Sequence, residues 1–332
     1  MMRIAVDAMG GDHAPDEIVK GAIKAAGFYP DITVILVGQK EKIIACLPDT
    51  GITPRIEFHE ASEVVGMDEH PASAIKKKKD SSIVVATRLV KEGEADALVS
   101  AGNTGAQMAA ALLGLGRIKG ISRPAIGTVI PTLQEGKLLL DVGANPDAKP
   151  ENLFQYGIMG SIYAEKILGI KNPKVALLNI GSEEGKGNEL VQAAYELFKE
   201  DSSLNFIGNV EGRDIPYGTA DVIVCDAFVG NVVLKTIEGM ASSLFQLIKE
   251  KITANTVRKM GALLIKPGLK EISHALDYSE YGGAPLLGVN GTSIICHGSS
   301  NEKAIFNAIR VAKECLEEEI IDKIKAELEK GT

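Results

Sequence analysis

The chain has 332 residues, enough for one large α/β unit or two smaller ones, and its ordinary composition excludes a fibrous or disordered protein. Its 36 Lys and Arg stand against 44 Asp and Glu, and the net charge of −8 argues against nucleic-acid binding. No apolar run reaches the roughly 20 residues of a membrane span, and the 4 cysteines are far apart, so we expect a cytoplasmic protein without structural disulfides or bound metal.

The first predicted element is a strand that ends in a glycine-rich loop. The apolar residues 4–9 run into Gly10, Gly11, Asp12 and His13, and a proline follows that can open a helix. Glycines let the backbone approach a ligand, and the start of a helix presents unpaired N–H groups to an anion. Ligands of open α/β sheets bind at the carboxyl ends of strands, so this junction predicts one wall of a binding site.

Short Val, Ile and Leu runs then alternate with helical stretches. Continuous apolar runs are typical of parallel strands covered by helices on both faces. The sequence therefore predicts an α/β fold with a mostly parallel sheet flanked by helices, as a single unit over 1–332 with a helical insertion at about 232–278. The predicted strands are 32–37, 97–100, 126–130, 138–142, 175–180 and 222–225, and the predicted helices include 81–92, 151–168 and 188–200.

Small and polar residues follow several later strands, as they follow the first. Loops of this kind at successive strand ends suggest one shared cleft. The segments concerned are 100–105, 141–145, 179–183, 226–231 and 297–300.

Two of the glycine-rich loops are candidates for anion binding. Ser100 to Gly105 leaves backbone N–H groups reachable in front of a helix, and it also fits a helix N-cap at Asn103 or Thr104; both interpretations can hold. The segment 181–188 resembles a P-loop but has one residue too few between its glycines and lacks the Ser or Thr that would hold magnesium. It argues against a nucleoside triphosphatase and leaves Lys186 as either an anion ligand or a solvated lysine.

His13 and His297 are the histidines that lie beside glycine-rich strand ends. Each is either a structural hydrogen-bonding residue or an acid or base that acts near neutral pH. The sequence has no His-x-x-x-His pair and no Gly-x-Ser-x-Gly motif, which argues against zinc hydrolysis and against an elbow-type serine nucleophile.

Two basic clusters stand out in an acidic chain. Lys76, Lys77, Lys78 and Lys79 are either a solvated run or a docking patch for an acidic protein. Arg258 and Lys259 lie among apolar residues in a helical region, and this tip fits an anionic membrane surface or a dimer contact equally well.

Helical sequence dominates from Val232 to Leu276, and the proline and glycine in 266–268 are expected to end one helix and turn the chain. A last helix is predicted behind a capping box of Ser299 and Glu302, with an apolar stripe from Ala304 to Leu316.

Six segments together resemble the bacterial phosphate acyltransferase family PlsX. They match in order from residue 2 to about 312, and the segments 185–188 and 281–283 distinguish this family from proteins that share only the fold. The six segments are 7–15, 100–106, 140–145, 185–190, 281–284 and 297–300.

The resemblance implies transfer of a long-chain fatty acyl group from acyl carrier protein to inorganic phosphate, which yields the acyl phosphate used in phospholipid synthesis. It also implies a fold like isocitrate and isopropylmalate dehydrogenases, a homodimer, no cofactor or metal, and loose association with the membrane that holds the next enzyme, a glycerol-3-phosphate acyltransferase.

This chemistry needs an anion cradle, a donor to the thioester oxyanion and a proton for the departing thiolate. We expect Gly102 to Gly105 and Lys186 to hold phosphate, Asn231 or a backbone N–H to polarise the carbonyl, and His13 or His297 to manage protons. Residues expected to bind substrate or phosphate are Gly10, Gly11, Asp12, Ser100, Gly102, Asn103, Thr104, Gly105, Asp141, Asn145, Asn179, Gly181, Asn188, Asp226 and Gly230. Residues expected to dock the carrier protein are Lys76, Lys77, Lys78, Lys79, Arg258 and Lys259.

Three alternatives remain open. A short-chain phosphate acyltransferase that uses coenzyme A would share the fold. A metal- and nicotinamide-dependent decarboxylating dehydrogenase would need grouped arginines, which are scattered here. A non-catalytic adaptor would bind carrier protein and membrane without releasing thiol.

Overall fold

The computed structural model describes residues 1–47, 54–275 and 278–330, and it leaves out the side chains of 273–275 and 278. The described strands are β1 Met2–Asp7, β2 Ile32–Gly38, β3 Ile56–Glu60, β4 Ala97–Ser100, β5 Ala125–Ile130, β6 Lys137–Leu140, β7 Lys174–Asn179, β8 Asn205–Glu211, β9 Val222–Val224, β10 Ala284–Leu287 and β11 Thr292–Ile295. They form one 11-stranded sheet in the order β3-β2-β1-β4-β11-β10-β5-β6-β9-β7-β8.

Helices connect most of these strands and cover the sheet. They are α1 Asp16–Phe28, α2 Lys40–Ala45, α3 Pro71–Lys77, α4 Ser82–Lys91, α5 Thr104–Gly114, α6 Pro150–Lys166, α7 Glu189–Glu200, α8 Ala227–Ile252, α9 Thr256–Ala275, α10 Glu302–Glu317 and α11 Ile320–Lys330.

The sheet contains two parallel blocks that run in opposite directions. Strands β3, β2, β1, β4 and β11 are parallel to one another, and so are β6, β9, β7 and β8. Between the blocks, β10 is antiparallel to β11 and β5, and β5 is antiparallel to β6. The carboxyl ends of β1, β4 and β11 therefore form a first edge, and those of β6, β7 and β9 form a second edge on the opposite side of the sheet.

Both faces of the sheet are buried. Ile4 and Val6 of β1 pack into one apolar cluster with α1 and α10, whereas Ala5 packs into another cluster on the opposite face with α4. A third cluster lies between the second block and α8, which contributes Val233 and Ile237. This burial explains why the strands read as continuous apolar runs.

The predicted fold class is confirmed, and the six later strands predicted from apolar runs all form, within two residues of the expected bounds. Strands β3, β8 and β10 were not predicted, and β11 was implied only by the loop 297–300 that follows it. Strands β3 and β8 each pair with one neighbour only, at an end of the sheet, and the exposed Glu57 and the half-buried Asn205 interrupt their apolar pattern.

The expected helix break at 266–268 is wrong. Pro267 lies inside α9, and the chain turns earlier, where Thr253 caps the end of α8 and the Asn255 side chain accepts a hydrogen bond from Arg258 N. A proline removes one helical hydrogen bond, and water can satisfy the freed carbonyl on a helix as exposed as α9. Helices α8 and α9 thus form a hairpin; Leu276, the predicted end of this region, lies outside the described residues.

The cap predicted for the last long helix is also wrong. Asn301, not Ser299, caps α10, since its side-chain oxygen accepts Ala304 N at 3.0 Å. Glu302 is the first helical residue, and its N–H donates to the Glu17 carboxylate at 2.8 Å. The predicted apolar stripe is confirmed, because Ala304, Ile305, Ala308, Ile309, Ala312 and Cys315 are all buried.

Candidate active site

A buried carboxylate lies beneath the loops of the first edge. Parallel pairing sets Asp7 of β1 beside Ser100 of β4, and Ser100 Oγ donates to Asp7 Oδ2 at 2.7 Å. The side chain of Asp7 also accepts Met9 N at 3.2 Å. Burial raises the pKa of Asp7, while hydrogen bonds from Ser82 and Ser100 act against that rise. Sequence analysis did not single out this side chain, although it ends the strand that points to the site.

Gly10 and Gly102 bring the β1 and β4 loops into contact. A Cβ atom on Gly10 would lie 2.6 Å from Asp7 Oδ2 and 2.8 Å from Gly102 N, so no side chain fits between the loops. Gly11 has φ 116°, which favours glycine. These glycines are thus explained by backbone packing alone, and a role in ligand binding stays a prediction.

The start of α5 is a true helix N-cap. Asn103 Oδ1 accepts Ala106 N at 3.0 Å, and Asn103 Nδ2 donates to Met67 O at 2.8 Å. The Asn103 side chain therefore holds the loop after β3 against the first edge. Gly105 is covered as well, because a Cβ there would lie 2.6 Å from Pro71 Cγ, whereas Thr104 is exposed. The alternative role of 102–105, phosphate binding, stays a prediction.

Lys78 is not an open docking cation. Its Nζ donates to Val64 O at 2.7 Å and pairs with the Glu69 carboxylate, so it fastens the same loop. Lys76, Lys77 and Lys79 are exposed. The predicted docking patch is thus reduced to these three lysines, together with the exposed Arg258 and Lys259 on the hairpin.

The loop after β11 joins the loop after β1. Asp12 N donates to Gly298 O at 2.8 Å, which places His297 and the exposed His13 at the same edge. His297 Nδ1 lies 2.7 Å from Ser299 Oγ, and His297 Nε2 lies 3.2 Å from Lys235 Nζ. Both predicted histidines therefore belong to the first edge.

Helix α8 brings Lys235 to this group. The helix begins at the second edge and crosses the sheet, and Lys235 reaches His297 from it. Asn231 is four residues earlier, about 6 Å along the axis on the same face of the helix. Lys235 itself was missed; the signal that could have found it is this four-residue spacing from Asn231.

Polar side chains of the second edge form hydrogen bonds with the backbone of the loops in which they lie. Asp141 accepts hydrogen bonds from four backbone N–H groups, those of Ile126, Gly143, Ala144 and Asn145. Burial raises its pKa and these four bonds act against the rise. The Asn145 amide donates to Tyr156 Oη at 3.2 Å. Asp226 caps α8 by accepting Phe228 N and Val229 N.

The loop after β7 is similarly self-contained. Asn179 Nδ2 donates to Lys186 O at 3.0 Å, and Asn188 Oδ1 caps α7 by accepting Val191 N at 3.0 Å. Gly181 is buried, and a Cβ there would lie 2.9 Å from Lys186 Cγ. The Lys186 side chain is exposed.

The prediction of one shared cleft is wrong for a single chain. Gly102 lies at the first edge and Lys186 at the second, and β4 and β7 are six strand steps apart in the sheet. At roughly 4.8 Å a step this separates the strands by about 29 Å. Within one chain these two groups cannot hold the same phosphate ion. The second edge also contains Asp141, Asn145, Asn179, Gly181, Asn188, Asp226 and Gly230.

The thiols are poorly suited to covalent catalysis. Cys225, Cys296 and Cys315 are buried, and burial raises the pKa of Cys296 and of Cys315 to about 12. Across the described ranges, no three His, Cys, Asp or Glu side chains gather as a metal ion would require. None of the helices in those ranges is long and apolar enough to cross a membrane.

Comparison with known sequences gives a match over nearly the whole chain. Residues 2–323 match the family described as fatty acid synthesis protein. A protein named phosphate acyltransferase from Desulfitobacterium hafniense, strain DCB-2, is 74% identical over 332 residues, which cover 100% of this chain and 99% of the relative.

Solved structures share the fold at low sequence identity. A phosphotransacetylase from Streptococcus pyogenes has a TM-score of 0.62 at 19% identity and covers 95% of this chain and 94% of its own. A 4-hydroxythreonine-4-phosphate dehydrogenase from Burkholderia phymatum has a TM-score of 0.50 at 14% identity. The match covers 95% of this chain and 98% of the dehydrogenase chain. One architecture therefore occurs in both an acyltransferase and a dehydrogenase.

Proposed function

Because the chain belongs to the fatty acid synthesis protein family, we propose that it transfers a long-chain acyl group from acyl carrier protein to inorganic phosphate. The identity of 74% to a named phosphate acyltransferase shows that the chain is an acyltransferase, and it supports phosphate as the acceptor. Acyl carrier protein as donor, and use of the product in phospholipid synthesis, follow from the motif resemblance.

The observation that carries the proposal is the convergence at the first edge. Asp12 N donates to Gly298 O beside His297, and α8 brings Lys235 to His297 with Asn231 one helical turn earlier. Beside them α5 begins, and the N–H groups at the start of a helix favour an anion. We assign acyl transfer to this edge.

The reaction proceeds by direct attack. A phosphate oxygen forms a bond to the thioester carbonyl carbon, the C–S bond breaks, and the departing thiolate takes up one proton. Phosphate is itself the nucleophile, so no acyl-enzyme is required, in agreement with the burial of three cysteines. We assign the donor to the carbonyl oxygen to the Asn231 amide, and removing one such donor typically costs about 10²- to 10³-fold in rate.

Lys186 can bind phosphate at the first edge only if it comes from a second copy of the chain. If Lys186→Ala raises the apparent KM for phosphate, its loop must reach the first edge from a second copy of the chain, as the implied homodimer would permit. If the variant leaves that KM unchanged, Lys186 has no part in binding phosphate.

The partners we propose follow from surface charge and exposure. Acyl carrier protein is acidic, and Lys76, Lys77 and Lys79 present cations to it. The α8–α9 hairpin carries exposed apolar side chains beside Arg258 and Lys259, which suits shallow contact with an anionic membrane. The glycerol-3-phosphate acyltransferase that uses the product would then lie nearby, on the inner face of the cell membrane.

The test is a phosphate-dependent thiol-release assay with the full chain. Long-chain acyl carrier protein and short-chain acyl coenzyme A are compared as donors, with and without inorganic phosphate. We expect release only with phosphate, and faster with the carrier-protein donor. Preference for short-chain coenzyme A donors would favour the short-chain enzyme, and binding of carrier protein without release would favour the adaptor.

A further inference from the structure

Lys235 places its ammonium group at the first edge between acceptors from two different elements. Its Nζ lies 2.8 Å from Glu238 Oε2, on α8, and 3.2 Å from His297 Nε2, after β11. Helix and sheet therefore fix the position of Nζ together. The side chain remains 52% exposed, so a molecule bound at this edge can reach it.

The hydrogens on the Lys235 ammonium group and on the His297 ring determine which atom donates and which accepts in these contacts. An ammonium group has three N–H donors and no acceptor. Only one hydrogen can lie between Nζ and Nε2, so a charged Lys235 requires an unprotonated Nε2 on His297. Ser299 N donates to the other ring nitrogen, Nδ1, at 3.2 Å, and Ser299 Oγ lies 2.7 Å from it. A neutral imidazole has a single acceptor nitrogen, so Lys235 and Ser299 N compete for it. When Lys235 is the donor, the ring hydrogen sits on Nδ1 and faces Ser299 Oγ. Two ammonium hydrogens are engaged, and the third can bind a substrate.

Charge at this edge favours an anion as that substrate. Inorganic phosphate carries between one and two negative charges near neutral pH, and removing it from water requires charged or well-placed donors. The side chains predicted earlier to lie at this edge offer carboxylate, hydroxyl, amide and imidazole groups. Among the residues described there, Lys235 brings an ammonium group, which pairs with Glu238.

We infer that Lys235 binds the phosphate substrate and that His297 and Glu238 orient its ammonium group. Lys235 is then a catalytic residue, because it contacts the substrate. His297 is a positioning residue, which accepts a hydrogen bond from Lys235 and does not supply the proton for the departing thiolate. The inference rests on the proposed function and adds to it the residue that recognises the acceptor substrate.

The first experiment measures the phosphate and donor dependence of thiol release in Lys235→Met. Losing one charge-assisted hydrogen bond should raise the apparent KM for phosphate about 10- to 100-fold, while the KM for the acyl donor stays within about twofold. Lys249→Met removes the same charge farther along α8 and serves as the matched control. A folded Lys235→Met protein with an unchanged phosphate KM would overturn the inference.

The second experiment separates orientation from proton transfer. His297→Gln retains an acceptor oxygen for Lys235, whereas His297→Leu does not. We expect the Gln variant to keep a phosphate KM within about tenfold of the unchanged protein and the Leu variant to resemble Lys235→Met. Lys235 lies 3.2 Å from His297 Nε2 and pairs with Glu238, and Asp12 N bonds to Gly298 O in the same loop; none of these residues is altered. Equal loss in both His297 variants, with a changed pH–rate profile in the Gln variant, would show proton transfer instead.

A third measurement keeps failure of the inference distinct from failure of the proposed function. The linewidth of the inorganic phosphate ³¹P resonance is followed with the full chain and with Lys235→Met, in the absence of any acyl donor. Broadening that depends on Lys235 supports the inference even if thiol release is absent. Equal broadening with both proteins contradicts it, whether or not acyl transfer occurs.

Discussion

At the scale of single residues, two buried carboxylates organise the loops of the sheet. Asp7 holds the first edge through Ser100, and Asp141 holds the second through four backbone N–H groups. Both carboxyl groups have raised pKa values because burial disfavours the charged form. Their hydrogen bonds maintain loop geometry, and the charge itself costs stability.

Asp7→Asn should change how stability depends on pH. Because the folded pKa of Asp7 lies above its ordinary value of 3.8, its stabilising contribution is complete below that pH and is lost as pH rises through the folded pKa. Asn stays neutral, so the variant loses no stability through ionisation at this position. We expect the free energy of unfolding of the variant, relative to the unchanged protein, to increase from about pH 4 upward toward neutrality, as measured by urea denaturation. If the stability of the variant relative to the unchanged protein fell over this pH range, the raised pKa of Asp7 would be contradicted.

The thiols should be modified in order of exposure. Cys46 is half-buried, whereas Cys225, Cys296 and Cys315 are buried. The pKa of each is raised by burial, so few of the reactive thiolates exist near neutral pH. We expect iodoacetamide to label Cys46 first in the native protein without loss of thiol release. Mass spectrometry checks this, and early labelling of Cys225 or Cys296 with parallel inactivation would indicate a catalytic thiol.

At the scale of elements, α8 links the two edges. It begins at the Asp226 cap beside Asp141 and Cys225, crosses the sheet, contacts His297 through Lys235 and then continues into the hairpin. Its start needs Gly230, since a Cβ there would lie 1.9 Å from Asp141 O. Any shift of this first turn would displace Asn231 and Lys235 together.

Gly230→Ala should therefore be costly. The added methyl group must push α8 away from β6, and overpacking of this kind typically costs about 1 to 3 kcal/mol. In Gly239→Ala, on the same helix, no atom lies within 4 Å of the new Cβ, and we expect unchanged or slightly increased stability. Thermal unfolding and thiol-release rates of the two variants test this, and equal stability of both would show that α8 does not pack tightly on β6.

At the scale of the whole molecule, the sheet is buried while the hairpin is not. Exposed apolar residues along the hairpin include Met240, Leu244, Val257, Met260, Leu263, Leu264 and Ile265. Apolar surface of this extent, mixed with cations, marks an interaction site. The membrane contact we propose would use this surface.

Acidic substitutions on the apolar surface of the hairpin should weaken binding to vesicles. Met260→Glu combined with Leu264→Glu removes apolar area and adds repulsion from anionic lipid. Leu133→Glu changes a residue that is 78% exposed elsewhere and is the control. We expect co-sedimentation with phosphatidylglycerol vesicles to fall at least severalfold only in the hairpin variant. If vesicle binding persists while sedimentation velocity shows loss of a dimer, the hairpin is a subunit contact.

Sequence by itself determined the fold class, most strands and the family. Apolar runs and helical periodicity are local, so Ala97–Ser100 and its neighbours could be read without knowing their partners. The motif segments likewise identified Gly102, Asn103 and His297 as site candidates, because each lies directly after a strand.

Tertiary structure alone decided which strand ends meet. Whether two strands run in the same direction depends on pairings far apart in the chain, and the reversal through β10 and β5 sends Lys186 and Asp141 to the edge opposite Gly102. The same non-local geometry set Lys235 against His297, residues that are 62 positions apart. No local pattern records that contact, because it is made only when α8 crosses the folded sheet.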